Sequence, residues 1–268
     1  MPELAEVAYA CNLWKKGLGK KIKEVFTHPT SRVYRDLSRS QFTKKLSGTT
    51  LTTSVTHGKQ MLFSFSGNGW LGIHLGMTGN LFLESNKYEV QKHDALILKQ
   101  REQTLVFRDP RQFGRLRLHI GTTPPDWWSN LPTGMLSNEF KRDILQRALT
   151  KHRRRPLKAL LLDQRYFPGM GNWMADEVLW RAKIHPAALG AQVSKGQEGI
   201  LYKQIILVAK GAIKSVGQHG GDPPLGWLFH TRWKDGLLCP KTKVPLIREQ
   251  IGGRTTCWSP ALQKNFKV

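Results

Sequence analysis

The sequence contains few cysteines, few acidic residues and no long apolar run. Its three cysteines, Cys11, Cys239 and Cys257, are too few for a disulfide framework of the kind that secreted proteins use. No apolar segment approaches the ~20 residues of a membrane span. After Met1 the chain continues with Pro2 and has two acids, Glu3 and Glu6, in its first six residues, which is unlike a signal peptide. We therefore expect a soluble, intracellular protein.

The shortage of acids leaves a large positive charge. The chain has 42 Lys and Arg against 19 Asp and Glu, which gives a formal net charge of +23 and an isoelectric point of about 10.3. Hydrophobic residues make up 40% of the chain, so it folds rather than remaining a disordered basic tail. Nucleic acid is the first expected partner, and a generally basic protein such as a ribosomal component is the alternative.

Hydrophobic periodicity changes along the 268 residues. Residues 4–18 have the three- and four-residue spacing of a helix, and short apolar runs then predict strands up to residue 118. We predict an α+β protein with an amino-terminal domain at 1–118, a linker at 119–138, a helical domain at 139–226 and a small β element at 227–268.

The amino terminus offers one candidate for nucleophilic chemistry. Removal of Met1 exposes the secondary amine of Pro2, and the adjacent Glu3 can act as a general acid or base. By itself this pattern is weak, because Pro is also common in the first turn of a helix.

Several further motifs occur in one order along the chain. These motifs are Pro2–Val7, His74–Gly79, Phe107–Gly114, Leu161–Gln164, Gly169–Leu179, Ile184–Pro186 and Gly252–Thr256. Together they span nearly the whole sequence, which makes them far more specific than any single motif. In content and order they resemble the formamidopyrimidine-DNA glycosylase/endonuclease VIII family.

The resemblance implies a fold and an activity. The expected fold is a β-sandwich flanked by helices, then a helix–two-turn–helix domain and a β-hairpin finger, with DNA in the cleft between the domains. The expected protein is a monomeric, cofactor-free repair enzyme that bends double-stranded DNA and extrudes a damaged nucleotide. It would be a DNA glycosylase and abasic-site lyase, in the nucleoid of a bacterium or the nucleus of a eukaryote.

The resemblance also implies the roles of the catalytic residues. The Pro2 amine attacks the sugar and expels the base, Glu3 protonates the opening sugar, and the iminium allows β,δ-elimination that cuts the strand on both sides. Lys59 contacts phosphate and assists elimination, Arg254 binds the phosphates around the lesion, and Glu6 supports the amino terminus.

A second set of residues is implied to contact DNA. Met77, Arg111 and Phe113 match the three residues that enter the space left by the extruded base, where an apolar wedge lowers the cost of unstacking. His93, Arg154, Lys158 and Asn172 match positions that contact the strand. Structural roles, such as a helix cap for Asn172 and core packing for Met77 and Phe113, remain open.

Two segments depart from the family pattern. Many family members bind zinc through two Cys-x-x-Cys pairs in the finger, whereas here Cys239 and Cys257 each lack the second cysteine. We predict a zincless finger without metal, as in the plant and fungal members that the chain resembles.

The other departure is the segment 215–227, which is short and rich in Gly and Pro, so the usual lesion-covering loop cannot be traced. Formamidopyrimidines are the expected lesions, and 8-oxoguanine, oxidised pyrimidines and hydantoins remain candidates. An abasic-site lyase with little base excision and a non-catalytic damage-binding protein remain alternatives.

Overall fold

The computed structural model describes residues 2–35 and 37–264. The chain divides into two compact units. The first contains Pro2 and residues 6–131, and the second contains residues 3–5 together with residue 132 onward. Met1, whose removal the predicted chemistry requires, lies outside the described residues. No helix in the described ranges has the length and apolar character needed to cross a membrane.

The first unit contains two four-stranded antiparallel sheets, as the predicted sandwich requires. One sheet has the order β1-β6-β7-β5 and the other has the order β2-β3-β4-β8. The strands are β1 (Glu24–Thr27), β2 (Leu51–His57), β3 (Gln60–Phe65), β4 (Gly69–His74), β5 (Asn80–Ser85), β6 (Asp94–Lys99), β7 (Gln103–Arg108) and β8 (Arg115–Ile120). Buried apolar side chains from both sheets form one cluster.

Helices complete this unit. Helix α1 (Leu4–Lys15) buries Val7, Cys11 and Trp14, which belong to the same apolar cluster as the sheets. Helix α2 (Arg39–Leu46) lies in a region that was predicted to be entirely β structure, and it is a correction to that prediction. It forms because Phe42 and Leu46, four residues apart, both pack into the core.

The second unit is mainly helical and ends in a hairpin. The short helix α3 (Asp126–Ser129) still belongs to the first unit. The helices of the second unit are α4 (Arg142–Lys151), α5 (Leu157–Leu161), α6 (Asn172–Ala182) and α7 (Lys195–Ala212). A π-helical turn at Ile213–Gly217 follows α7. The antiparallel hairpin consists of β9 (Ile247–Ile251) and β10 (Arg254–Trp258). Apolar side chains from α4 to α7 form the main core of this unit.

Candidate active site and nucleic-acid interface

The carboxylate of Glu3 is held at the amino end of α6. Trp173 N–H donates to Oε1 at 2.9 Å, and Met174 N–H donates to Oε2 at 3.1 Å. The first N–H groups of a helix have no partner within the helix, and the helix dipole favours negative charge there. Glu3 is only 2% exposed. A carboxylate fixed in this way can exchange a proton at one defined position.

The glycines that precede α6 make room for the amino-terminal segment. The carbonyl of Gly169 accepts a hydrogen bond from Leu4 N–H at 3.0 Å. A Cβ added to Gly171 would lie 2.1 Å from Cδ of Glu3. Any side chain at position 171 would therefore displace the carboxylate, which explains why the motif needs glycine there.

Pro2 directly precedes this carboxylate in the sequence. It is half-buried, and its nitrogen is a free secondary amine only in a chain without Met1. Glu6 lies half-buried in the first turn of α1, where the helix dipole stabilises an acid. The roles of both residues stay predictions.

Two loops of the first unit present exposed apolar side chains. Met77 is 39% exposed and Phe113 is 50% exposed. The Arg111 guanidinium carbon lies 4.9 Å from the centroid of the Phe113 ring. A Cβ on Gly76, whose φ is +67°, would lie 2.4 Å from the carbonyl carbon of Phe113. The structure thus brings together the three residues predicted to enter the gap in the DNA.

Asp109 ties these two loops to each other. Its Oδ1 accepts a hydrogen bond from the Thr78 hydroxyl at 3.0 Å, and its Oδ2 accepts one from Gly114 N–H at 2.6 Å. The Thr78 hydroxyl in turn accepts from Arg111 N–H at 3.3 Å. Asp109 lies within the motif Phe107–Gly114, but the sequence alone assigned it no role. Asp109 is buried, so it holds in place the two loops that carry the exposed side chains.

Lys59 and His74 form a second group in this unit. Lys59 follows Gly58 in the turn between β2 and β3, and His74 ends β4. Burial lowers the pKa of His74, and the charges of Lys59 and Arg117 lower it further. Sequence reasoning did not single out His74. The side chain of His93 is exposed just before β6, and its carbonyl accepts from Asp109 N–H at 3.0 Å.

Lys158 has a different position from the one predicted. The resemblance implied a DNA contact, but this side chain is fully buried and its ammonium donates to the Asn172 carbonyl at 2.7 Å and to the Asp176 carboxylate. Arg232 donates to the same carboxylate at 2.5 Å. Burial lowers the pKa of Lys158, and the negative charge of Asp176 opposes that effect. This position favours support of the first turn of α6 over contact with a phosphate.

Asn172 and the hairpin are directly connected. The Asn172 side-chain amide donates to the Thr255 carbonyl at 2.9 Å. Arg254 begins β10 with an exposed side chain, after a turn made by Gly252 and Gly253 with φ values of +60° and +77°. These contacts tie the turn that carries Arg254 to the same end of α6 that holds Glu3.

Arg154 lies in an exposed turn after α4. The turn Thr150–Pro156 lines a concavity of about 570 Å³, and four of its residues are Lys or Arg. Such a surface attracts phosphate, in agreement with the role proposed for Arg154.

The residues around Cys239 do not fit a zinc ion. The Trp180 indole N–H donates to its Sγ at 3.4 Å. Burial raises the pKa of Cys239, but the neighbouring polar groups of Thr242, Ser259 and Trp180 outweigh burial and lower it to about 7. An N–H group and hydroxyls are not zinc ligands of a structural site. Among residues 2–35 and 37–264, no group of three or more His, Cys, Asp and Glu could hold a metal.

Cys257 has separate surroundings. Its N–H donates to Asp176 Oδ2 at 3.1 Å. Burial and the Asp176 charge raise the pKa of its thiol to about 12. The zincless finger remains a prediction, now supported by the chemistry of the groups around each thiol.

In the segment after α7, Trp227 is buried and Leu225 is very exposed. Trp227 packs on Gly211, where an added Cβ would lie 2.7 Å from its ring, and its centroid is 6.3 Å from that of Trp173. Leu225 is 91% exposed. Trp227 thus supports the residue whose N–H holds Glu3.

Comparison with known proteins identifies relatives over nearly the whole length. The model for the formamidopyrimidine-DNA glycosylase N-terminal domain matches residues 1–116, and the model for the H2TH domain of the same enzyme matches residues 131–221. The formamidopyrimidine-DNA glycosylase of Thermus thermophilus is 34% identical, with 98% of each chain covered. The Arabidopsis thaliana enzyme is 31% identical over 99% of this chain and 72% of its own length.

Solved structures agree with these relatives. A complex of the Lactococcus lactis enzyme with DNA containing N7-benzyl-Fapy-dG has a TM-score of 0.87 and 27% identity, covering 98% of this chain and 100% of the other. A complex of that enzyme with DNA containing an oxidized pyrimidine has a TM-score of 0.88 at the same identity and coverage.

Proposed function

The chain belongs to the formamidopyrimidine-DNA glycosylase family, and we propose that it excises oxidised bases with Pro2 as the nucleophile and Glu3 as the proton donor. The protein is a DNA glycosylase of base excision repair that acts on damaged double-stranded DNA, and abasic-site lyase activity is part of its family. The observation that carries the proposed roles is the buried Glu3 carboxylate, fixed by two N–H groups of α6.

The first step forms a bond between protein and sugar. The lone pair of the Pro2 nitrogen attacks C1′ of the damaged nucleotide, and the glycosidic bond breaks with its electron pair moving to the base, which takes the proton that the Pro2 nitrogen gives up. Glu3 gives a proton to the sugar ring oxygen as the ring opens, which leaves an iminium ion at C1′. The fixed carboxylate supports this role because a general acid must lie at one defined position.

The iminium then allows strand cleavage. It acidifies the C2′ proton, whose removal expels the 3′ phosphate, and removal of the C4′ proton through the conjugated iminium then expels the 5′ phosphate. Water finally hydrolyses the iminium and restores the amine. Lys59, beside His74, is proposed to contact phosphate and assist elimination, and Arg254 is proposed to bind the phosphates around the lesion.

Formamidopyrimidines are the proposed lesions, because the relatives carry that name and one of the similar structures contains a formamidopyrimidine nucleotide. Oxidised pyrimidines are supported by a second similar structure. 8-Oxoguanine is supported by a third similar structure, which contains carbocyclic 8-oxo-G, and hydantoins are a further candidate class. The proposed site of action is the cellular DNA, in the nucleoid of a bacterium or the nucleus of a eukaryote.

Borohydride trapping tests the nucleophile. Borohydride reduces an iminium to a stable amine, so the protein should become joined to duplexes that carry a formamidopyrimidine, an oxidised pyrimidine, 8-oxoguanine or an abasic site. Mass spectrometry should show Pro2 as the first residue and place the adduct on it. Pro2→Gly should lose most trapping, and Glu3→Gln should lose base excision, whereas the surface variant Glu24→Gln should retain both.

Other results of the trapping experiment would change the assignment. Trapping on abasic DNA alone would make the protein a lyase with little excision. No trapping by protein that begins at Pro2 would make it a damage-binding protein. An adduct on a lysine would transfer the role of nucleophile from Pro2 to that lysine.

A further inference from the structure

Strand β8 carries a row of basic side chains on one face of its sheet. Arg115, Arg117 and His119 alternate along the strand, and alternate residues of a strand point to the same face. We name these three residues the β8 basic face. None of the roles assigned above uses them.

The β8 basic face lines a cavity of about 420 Å³. Its other lining residues include Tyr34, Arg35, Pro125 and Trp127. All of these residues belong to the first unit. The cavity therefore combines cationic side chains with aromatic walls in one concave site.

Among the residues that the structure describes, no carboxylate pairs with the two arginines of this face. Burial and the neighbouring charge of Arg115 lower the pKa of Arg117. Two neighbouring like charges repel each other, so an anion bound between the two guanidinium groups would relieve that repulsion.

Trp127 fixes the direction of one of these groups. The Arg117 guanidinium carbon lies 4.2 Å above the centroid of the Trp127 ring. Trp127 comes this close to the sheet because residue 72 is glycine, where an added Cβ would lie 2.5 Å from the indole. A guanidinium stacked on an aromatic ring keeps the N–H groups at the edge of its own plane free, and this geometry allows them to bind a phosphate.

The face continues from residues that already have a proposed phosphate role. Arg115 lies opposite His74 in the β4–β8 ladder, and the charges of both Lys59 and Arg117 act on His74. Alternate residues of a strand are about 6.7 Å apart, which is close to the separation of neighbouring phosphates in one DNA strand. A DNA strand with one phosphate at Lys59 can therefore place its next phosphates along β8.

We propose that the β8 basic face binds the phosphodiester backbone of the substrate DNA outside the damaged nucleotide. The proposal rests on the proposed function, because it extends the DNA track that starts at Lys59. Arg115 and Arg117 each bind one phosphate, His119 lies at the far end, and Trp127 positions Arg117. The face raises affinity for DNA and leaves the chemistry at the lesion unchanged.

The test compares binding to three lesion duplexes as salt is raised. One duplex is short and ends just beyond the lesion, and the other two are extended on the 5′ or the 3′ side. Each lost phosphate contact reduces the slope of log K against log salt by about 0.9. Arg115→Ala/Arg117→Ala should therefore lower the slope by about 2 on one extended duplex and leave it unchanged on the short one.

When salt is raised from 50 to 200 mM, the binding constant of the wild type for that extended duplex should fall about 12-fold more than that of the double variant. The matched control Lys87→Ala/Arg101→Ala removes two exposed charges from another part of the same unit and should keep the full slope. Trp127→Ala should give an intermediate slope, and Trp127→Phe should restore it.

Three results would overturn the proposal. The first is an unchanged slope on every duplex. The second is an equal reduction of the slope on the short duplex, which would place the β8 basic face among the residues that bind DNA at the lesion itself. The third is loss of polyglutamate binding without loss of DNA binding, which would assign the face to an acidic protein. Borohydride trapping on the short duplex reports the chemistry separately, so failure of the proposed function would be seen in the wild type.

Discussion

Gly171 lies directly against the carboxylate of Glu3: a Cβ added to the glycine would fall 2.1 Å from Cδ and 2.4 Å from Oε1 of the glutamate. The carboxylate is buried and hydrogen-bonded to two N–H groups of α6, so it cannot move away without losing these bonds. A residue with no side chain thus decides where the proposed proton donor lies.

Gly171→Ala should therefore impair base excision without removing any reacting group. General acid catalysis contributes roughly 10²- to 10⁴-fold, and we expect single-turnover excision to fall by at least about 100-fold. Gly196→Ala is the matched control, because the nearest atom to its added Cβ, Oγ of Ser194, is 3.9 Å away. Wild-type excision by folded Gly171→Ala protein would contradict the role of the fixed carboxylate.

Phe113→Ala should affect DNA recognition and not folding. The side chain is 50% exposed, so the free energy of unfolding should change by less than about 0.5 kcal/mol. Excision from duplex DNA should fall strongly, since the wedge no longer offsets an unstacking cost of a few kcal/mol. Excision from single-stranded DNA should change little.

The control for Phe113 is Val90→Ala, another exposed apolar residue of the same unit, at 45% exposure. It should leave excision unchanged on both substrates. An equal loss on single-stranded and duplex DNA would show that Phe113 acts on the flipped base and not on the stack.

Asp176→Asn should destabilise the protein severely. Asp176 and Lys158 are fully buried and Arg232 is 5% exposed, and the removal of one partner leaves buried charge without compensation. The expected loss is about 3–5 kcal/mol in the free energy of unfolding, measured by urea denaturation. Arg147→Ala, which breaks an exposed pair with Asp143, should cost less than about 1 kcal/mol. Equal effects would show that the buried network is not structural.

The thiol of Cys239 should make stability depend on pH. Its pKa in the folded protein is lowered to about 7, so near neutrality the unfolded chain binds more protons and stability rises with pH. This contribution is fully present above the ordinary pKa of the thiol and is lost as pH falls through about 7. The difference in unfolding free energy between wild type and Cys239→Ser should therefore grow from about pH 6 to about pH 8.

Cys257→Ser is the matched control for this titration. The pKa of Cys257 is raised to about 12, so its stabilising contribution is lost only as pH rises through the alkaline range. Its difference from wild type should stay constant between about pH 6 and about pH 8. A constant difference for Cys239→Ser as well would contradict an ionised thiol in the finger.

Local patterns were sufficient for much of the fold. The spacing of Val7, Cys11 and Trp14 predicted α1, and these residues are buried as expected. The order of the motifs predicted the family, the sandwich and the helix–two-turn–helix domain. Helix α2 was missed because its eight residues include only two buried apolar side chains, Phe42 and Leu46, too few for a clear period.

The site could be predicted only as a set of residue types. Sequence identified Glu3 as a candidate acid, but its hydrogen bonds to Trp173 and Met174 join positions about 170 residues apart. Lys158 was predicted to contact DNA because it matches a family position that contacts the strand, and the packing of α5 against α6 instead pairs it with Asp176 inside the unit. Charge and spacing are local properties, whereas burial and partner choice depend on tertiary packing. The sequence therefore determined which chemical groups are present, and only the folded chain decided which of them are fixed, paired or free to meet DNA.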